Sequence, residues 1–401
     1  MKKVLIPTDL LFVGAAALTQ IATEHAFADP CYYEDCLYEE LECVTTPYYQ
    51  WKDNVGYFIS GEFLYWFARE NNLSFAVELE AKPVDDLPNA NLTFAASSFD
   101  YLSSKWSGGY RIGVGTTAFC DGWDFTVTWT SYKNAQSNKA ATPVLDNFLP
   151  TSYEQQTLLN PWFNAGIAFD PAAPAPFYFD QIAATWKLRF RQIDAELGRQ
   201  YWLSKKFSVR PFVGVRATWI KTDFETTSSK SFQNSSEAFG GTFIDSYTHK
   251  NDGVGIVAGF GPNWFFCPNF SLFANIDASL VWGQCQIEKR ENYQFFETQA
   301  DPQLPIYLTS QSSKGQFNAL SSAFDLTIGL RFEESWCSNR FRLLADIGWE
   351  HHVWLDYVYR PTVEGSYSIE GDLFFTGFSS YDQVPSDLVI GGLRVRIRLD
   401  F

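Results

Sequence analysis

The chain ends in Gly391-Gly392-Leu393-Arg394-Val395-Arg396-Ile397-Arg398-Leu399-Asp400-Phe401, a strict alternation of apolar and polar residues. In an extended chain, successive side chains point to opposite faces, so the apolar residues share one face and the arginines share the other. This period of two predicts a β-strand. A C-terminal edge strand of a soluble β-sandwich would show the same alternation, and the other end of the chain separates these two interpretations. The apolar face consists of Leu393, Val395, Ile397, Leu399 and Phe401.

The first 28 residues have the layout of a cleavable signal peptide. Lys2 and Lys3 supply the positive start, Leu10–Leu18 supplies a short apolar stretch, and an Ala-Phe-Ala sequence ends at Ala28. We expect cleavage before Asp29. The apolar stretch is too short for a transmembrane helix, which needs about 20 residues. An exported chain without such a helix, ending in an amphipathic strand, is predicted to reside in the bacterial outer membrane.

The composition fits a β-barrel in lipid. Phe, Tyr and Trp make up 18% of the residues, and membrane barrels carry belts of aromatic side chains at both interfaces. The formal net charge is −16, which opposes binding to the phosphate backbone of nucleic acids. We therefore expect a lipid bilayer as the partner of this chain and no nucleic acid.

The alternation of the last strand recurs along the chain, and it predicts ten strands. In the fourth strand the apolar residues change phase near Gln192, which predicts a β-bulge at that point. The ten predicted strands span residues 57–67, 110–114, 123–129, 186–197, 207–219, 254–264, 270–282, 324–332, 341–349 and 391–401.

Short turns and long polar stretches alternate between these strands. The short turns lie around Asp121-Gly122, Ser204–Lys206, Cys267–Asn269 and Glu334–Asn339. Outer-membrane barrels have short periplasmic turns and long extracellular loops, so the short turns are predicted to be periplasmic. The long stretches, predicted as extracellular loops, are roughly 80–100, 134–180, 222–250, 285–320 and 355–387.

These patterns predict an all-β fold, a transmembrane antiparallel up-and-down β-barrel with an even number of strands, about 10–16. The expected organisation is a signal peptide at 1–28, a cysteine-containing periplasmic segment at 29–53 and the barrel at 54–401. We see no linker in the sequence, so one domain is expected.

Several blocks share their order and spacing with one bacterial family. They are Gly61-Glu62-Phe63-Leu64-Tyr65-Trp66, Gly109–Gly115, Ile193–Arg199, Arg210–Arg216 and Gly348-Trp349-Glu350. This arrangement resembles the major outer membrane protein-like porins of legionellae and chlamydia-like bacteria. The last strand likewise resembles the closing strand that outer-membrane barrels present to their insertion machinery. The resemblance implies a pore-forming outer-membrane protein, with the insertion machinery as a partner and the apolar face of the last strand as its assembly signal.

Charged residues opposite the apolar faces are predicted to line the lumen. Opposed basic and acidic patches set up a transverse field across a water-filled pore, which predicts passive diffusion of small hydrophilic solutes and ions. The alternative is a narrow barrel filled by salt bridges, with a closed lumen and a structural or adhesive surface function. Arg189 and Arg191 are further candidates for the lumen. The main candidates are Arg111, Arg216, Arg331, Arg340, Arg342, Arg394, Arg396, Arg398, Glu62, Asp124, Asp277, Asp325, Asp346 and Glu350.

The sequence favours neither an enzyme nor a cofactor-binding protein. His351 and His352 are adjacent on a strand, so they point to opposite faces and cannot bind one metal ion together. No serine lies beside His351 on the same strand face, as a lipid hydrolase would require. We therefore expect no catalytic residue, metal or cofactor.

The seven cysteines are unusual for a porin-like chain. Cysteines in an oxidising compartment favour disulfides, and an odd number leaves at least one thiol free or intermolecular. We expect disulfides within the envelope or between copies of the chain, and the sequence fixes neither the connectivity nor the oligomeric state. Cys285 lies at the outer end of its strand. The candidates in the periplasmic layer are Cys31, Cys36, Cys43, Cys120, Cys267 and Cys337.

Overall fold

Ten antiparallel strands form a closed barrel, which confirms the predicted fold. The computed structural model describes residues 55–71, 73–83, 92–118, 122–142, 156–163, 179–234, 237–297, 305–336, 341–370 and 374–401. None of these residues forms a helix that could span a membrane. In order around the barrel, the strands are β1 (Val55–Glu70), β4 (Trp106–Ala118), β5 (Trp123–Ala141), β7 (Gln181–Arg199), β9 (Phe207–Asn234), β10 (Glu237–Phe265), β11 (Phe270–Glu297), β12 (Pro305–Trp336), β13 (Phe341–Glu370) and β14 (Phe374–Asp400).

The barrel closes where the first strand pairs with the last. The pairing of β1 with β14 runs from Phe58 opposite Asp400 to Glu70 opposite Leu388. Tyr57 and Phe401 exchange two backbone hydrogen bonds of 2.9 and 2.8 Å at the end of this seam. Both edges of the sheet are thereby paired, as a barrel in lipid requires.

Each strand carries an outward apolar belt near the short turns. On β7 the belt includes Ile193 and Leu197, and the Leu197 side chain is 44% exposed. We call this part of the barrel the membrane zone and the part beyond it the outer zone. Representative exposed members of the belt are Tyr57, Phe63, Ile112, Val114, Val213, Val215, Ile256, Phe260, Leu280, Trp282, Phe324, Ile328, Ile347, Trp349 and Ile397.

The polarity of the two faces is exchanged in the outer zone. On β7 the side chains of Trp186, Leu188 and Phe190 are buried inside the barrel, whereas Arg189 and Arg191 are exposed outside it. The prediction that these two arginines face the lumen is therefore wrong. Beyond the lipid the outward face meets water and the inward face becomes an apolar core, so the apolar residues change sides.

The predicted β-bulge near Gln192 is also wrong. Gln192 pairs with Thr130 on β5 and Thr218 on β9, and the register of both pairings is continuous through this position. The apolar residues change phase in the sequence because the surroundings of the strand change, while its backbone remains regular.

Three stretches predicted as long loops are mostly strand. The segment 222–250 forms the outer halves of β9 and β10, which are 28 and 29 residues long. Similarly, 285–320 belongs largely to β11 and β12, and 355–387 to β13 and β14. A membrane-spanning strand needs only about 9–11 residues, so these hairpins extend well beyond the bilayer.

A small sheet closes the outer end of the barrel. It consists of β2 (Ser74–Pro83), β3 (Leu92–Tyr101) and β6 (Gln156–Leu159), in the order β3-β2-β6. With residues 160–163 we call this sheet the cap. A further short strand, β8 (Tyr201–Ser204), pairs with β9 at the turn end.

The cap is anchored inside the barrel mouth. Asn160 donates hydrogen bonds to Thr226 (3.0 Å) and Ser228 (2.9 Å), two buried residues on the inner face of β9. The Trp162 ring packs against Phe224 with 5.6 Å between ring centroids. The two connections that supply the cap therefore share one apolar core with the outer zone.

We expect the double substitution L399D and F401D to prevent barrel assembly without blocking export. Leu399 on β14 and Phe401, the residue that follows this strand, lie on the outward apolar face beside the seam. A charge on the lipid-facing surface costs up to a few kcal/mol, less near the interfaces. The measurement is the amount of folded, heat-modifiable protein in outer-membrane fractions. The control is Q286D with Q316D, which places two carboxylates on the outward face beyond the belt. Equal folded amounts for both double variants would contradict the role of the closing strand.

Candidate functional site in the lumen

The predicted lumen candidates lie on the inner face of the barrel, with one exception that falls outside the described residues, Arg340. The alternation of buried and exposed positions along the strands places the others inward. In this set, charges of opposite sign contact one another directly. They are not separated into the opposed patches expected from the sequence.

Glu62, Arg111 and Glu350 form the first half of an ion-pair network across the lumen. Arg111 Nη1 lies 2.9 Å from Glu62 Oε2 and 2.9 Å from Glu350 Oε1. Arg394 Nε lies 2.9 Å from the same Glu62 oxygen. Arg111 and Glu350 belong to β4 and β13, which are separated by two strands, so this contact crosses the interior of the barrel.

Asp325 and Arg216 form the second half. Arg216 Nη1 lies 2.6 Å from Asp325 Oδ2, and its Nε lies 2.8 Å from Asp194 Oδ1. Asp277 Oδ1 lies 3.3 Å from Arg216 Nη2. His352 joins the halves, because its Nδ1 lies 2.7 Å from Asp325 Oδ1 and its Nε2 3.7 Å from Glu350 Oε1. The network reaches β1, β4, β7, β9, β11, β12, β13 and β14.

The charges of this network are buried. The side chains of Glu62, Glu350 and Arg394 are each 4% exposed, Arg216 is 3% exposed, and Arg111 is 11% exposed. A water-filled channel at this level would leave the wall side chains in contact with water. The ion pairs therefore exclude water from most of the surface of these side chains.

Two further clusters line the lumen towards the short turns. Asp346 accepts from Arg331 at 2.8 Å and lies 2.5 Å from Arg396 Nη2. Arg398 binds Asp400 at 2.5 Å. The contacts of Asp346 join β12, β13 and β14 on the short-turn side of the central network.

The remaining candidates near the short turns are also paired. Asp124 Oδ2 accepts a hydrogen bond from Arg210 Nε at 2.7 Å, and Glu196 lies 3.3 Å from the same guanidinium group. Arg342 contacts Glu333. Sequence reasoning did not select Arg210 and Glu196, although each lies on the inward side of its strand by alternation.

A second polar tie crosses the lumen in the outer zone. Arg360 on β13 forms a bidentate ion pair with Glu70 on β1, in which Nη2 donates to Oε2 at 2.9 Å. Trp186 Nε1 on β7 donates to the same oxygen at 2.8 Å. The Arg360 guanidinium group also lies over the rings of Phe224 (5.4 Å) and Trp162 (5.8 Å). This tie links the barrel wall to the cap.

Sequence reasoning missed both members of this tie. Glu70 continues the inward alternation that begins at Glu62, which is a usable signal, but it lies beyond the apolar run that defined the strand. Arg360 fell in a stretch predicted as a loop. The missing information was that the strands continue beyond the membrane.

Burial changes the ionisation of groups in the outer zone. Loss of hydration raises the pKa of Asp245 from 3.8 to about 7, although a 3.0 Å hydrogen bond from Tyr293 opposes the rise. Burial lowers the pKa of His249 to about 3, and its Nε2 lies 2.9 Å from Cys285 Sγ. His249 is therefore neutral at physiological pH.

The fold and the outward belt define the class of transmembrane β-barrel proteins. A family model described as the Legionella pneumophila major outer membrane protein precursor matches residues 52–401. The chain belongs to this family and is an outer-membrane barrel protein. No curated protein matches the chain.

Several solved outer-membrane proteins are similar in architecture. The outer membrane protease OmpT from Escherichia coli is 9% identical with a TM-score of 0.32, and the match covers 86% of this chain and 96% of that one. The Pseudomonas putida toluene transporter TodX is 7% identical with a TM-score of 0.23, covering 86% and 89%. A Pseudomonas aeruginosa FadL homologue is 6% identical with a TM-score of 0.22, covering 87% and 90%.

We expect E70L to destabilise the folded barrel by about 3–5 kcal/mol, because it leaves the buried Arg360 guanidinium group without its carboxylate. The double variant E70L with R360M should recover most of this loss, since neither charge then remains. A residual loss of about 1 kcal/mol is expected because Trp186 Nε1 loses its acceptor. Denaturant-induced unfolding in detergent micelles, followed by tryptophan fluorescence, measures all three proteins. Additive losses in the double variant would contradict the assigned coupling.

Proposed function

We propose that this protein is a structural component of the outer-membrane surface whose lumen is closed to solutes. The observation that carries the proposal is the direct contact between charges from separated walls, Arg111 with Glu350 and Arg216 with Asp325. An eight-stranded barrel has an interior just wide enough for side chains to fill, and the diameter grows with strand number. A ten-stranded barrel with long, paired arginines and carboxylates is within the range that side chains can close.

The outer zone supports the same proposal with a second barrier. The side chains of Trp66, Trp186 and Trp354 are fully buried inside the barrel, and the cap packs on this aromatic core. Solutes entering from outside would first have to displace the cap and then break the tie between Arg360 and Glu70. The protein would then have a structural role in the envelope and would interact through its outer surface.

The second candidate is a porin for small hydrophilic solutes and ions, favoured by the chemistry of the membrane zone. An apolar filling would close this lumen without desolvating charges, and buried ion pairs often contribute no net stability over apolar residues. A wall of charged side chains is what a water-filled pore uses. Porin activity would require a second state in which the cap has left the mouth and the ion pairs are hydrated.

We expect purified wild-type protein to produce no unitary conductance steps in planar lipid bilayers, because the ion-pair network blocks water. A variant in which a short Gly-Ser connection replaces residues 74–101 should remain silent, since the network lies below the cap. An open porin reconstituted in the same bilayers is the positive control. Steady steps from the wild type would overturn the closed-lumen proposal in favour of the porin. Steps from the variant lacking 74–101 alone would identify this part of the cap as a gate.

We further propose that the chain is linked into the envelope through disulfides at its turn end. The support is Cys267, which is exposed in the turn between β10 and β11 and is not in a disulfide with another described residue. Cys285, in the outer zone, is buried and is not in a disulfide with another described residue. Five of the cysteines predicted to form disulfides lie outside the described residues, namely Cys31, Cys36, Cys43, Cys120 and Cys337.

We expect oxidised envelopes to show cross-linked species of this protein on non-reducing gels, and C267S to decrease them. The matched control is C285S, which removes a buried thiol and should leave the pattern unchanged. Reductant should convert all species to monomer. A monomer-only pattern in the wild type, identical with and without reductant, would reject the linkage.

A further inference from the structure

A row of four basic residues crosses the outward face of the barrel just beyond the apolar belt. Lys133 on β5 pairs with Arg189 on β7, which pairs with Lys221 on β9, which pairs with Lys250 on β10. Directly paired residues of an antiparallel sheet point to the same face. Lys133, Arg189 and Lys250 are exposed and Lys221 is half-buried, so four cations lie side by side at the spacing of adjacent strands, about 5 Å.

The row lies at the border of the lipid. Two residues closer to the belt along β7, Arg191 pairs with the half-buried Trp219. Two residues further in the same direction, Ile193 pairs with Ala217, which pairs with Val254 in the belt itself. Tryptophan at the edge of an apolar belt is typical of the headgroup region of a bilayer. The cations therefore lie where lipid headgroups meet the protein.

This positive charge is only partly balanced by the protein. Asp223 binds Lys221 at 2.6 Å. Within the part of the chain that the structure describes, no carboxylate lies within ion-pair distance of Lys133, Arg189, Arg191 or Lys250. Asp252, which is exposed on the same face and pairs with Trp219, interacts with Lys250 over a longer distance. The patch still carries more cations than carboxylates, in a chain whose net charge is −16.

The row of cations does not continue onto β11 and β12. The next two positions of the same row are Gln286 on β11 and Gln316 on β12, both exposed and uncharged. A general attraction to the membrane surface would not require this asymmetry. A ligand with fixed charges of its own would require cations at one defined place on the surface.

We propose that this row, together with Arg191, binds the phosphate groups of a phosphorylated glycolipid of the outer leaflet, the lipid A part of lipopolysaccharide. The guanidinium groups of Arg189 and Arg191 offer the fork of donors that binds phosphate in bidentate fashion. Lysines beside them extend along the surface and place their ammonium groups at headgroup level. The acyl chains of the same molecule then lie against the belt at Ile193 and Val254.

The orientation of the barrel supports an outer-leaflet ligand. The row lies on the outer-zone side of the belt, opposite the end that carries the short turns and Phe401. Short turns are periplasmic in outer-membrane barrels. The row therefore faces the leaflet in which phosphorylated glycolipids are concentrated.

The test measures binding of bisphosphorylated lipid A to the full barrel in detergent micelles, with monophosphorylated lipid A and inorganic phosphate as the other probes. The wild type should bind bisphosphorylated lipid A, bind the monophosphorylated form more weakly, and show no measurable binding of inorganic phosphate. The variant R189Q with R191Q should bind bisphosphorylated lipid A about 10- to 30-fold more weakly. Heat-modifiable migration on gels checks that each variant is folded.

The matched control is R290Q with K314Q. These outward cations on β11 and β12 are exposed and already paired with Glu288 at 2.7 and 3.2 Å, so their loss should leave lipid A binding unchanged. Equal binding by the wild type and R189Q with R191Q would overturn the proposal. Inorganic phosphate competing as well as lipid A would also overturn it, because the site would then be one for soluble anions.

Discussion

The structure depends on the backbone pairing between β1 and β14. In the hydrocarbon core no water satisfies a free N–H or C=O group, so a sheet can cross the membrane only when it has no edges. The hydrogen bonds between Tyr57 and Phe401 and the register above them remove the last two edges. Closure also creates an inside and an outside. Every later feature, from the outward belt to the lumen ion pairs, depends on this division.

One strand geometry serves two surroundings in this barrel. In the membrane zone lipid covers the outside, so charged side chains such as Arg216 and Asp325 lie inside and must find partners. In the outer zone water covers the outside, so Arg189 is exposed there and Phe190 is buried inside. The barrel thus behaves as an inverted protein within the belt and as an ordinary globular protein beyond it, with no change in pairing at the border.

The period of two allowed the ten strands, the closing strand and the inward side of the lumen charges to be predicted. It could not supply the partners. Arg216 and Asp325 are 109 residues apart in sequence, and their contact depends on the width of the closed barrel, which no local pattern encodes. The period also gave a wrong prediction at Gln192. A strand that passes from lipid into water and a strand with a β-bulge both show apolar residues that change phase in the sequence. Glu70 and Arg360 were missed for the same reason, since both lie beyond the belt.

The seam and the tie in the outer zone share a residue. Glu70 is the last residue of β1 paired with β14, and it holds Arg360 of the strand on the other side of β14. Until the first and last strands meet, this carboxylate and guanidinium group remain hydrated in an interior that is open along one side. Zipping the seam brings them together and expels that water. Lateral closure of the barrel and dehydration of this ion pair are thus coupled, so the stability of the seam includes the contact of a side chain two strands away from β1.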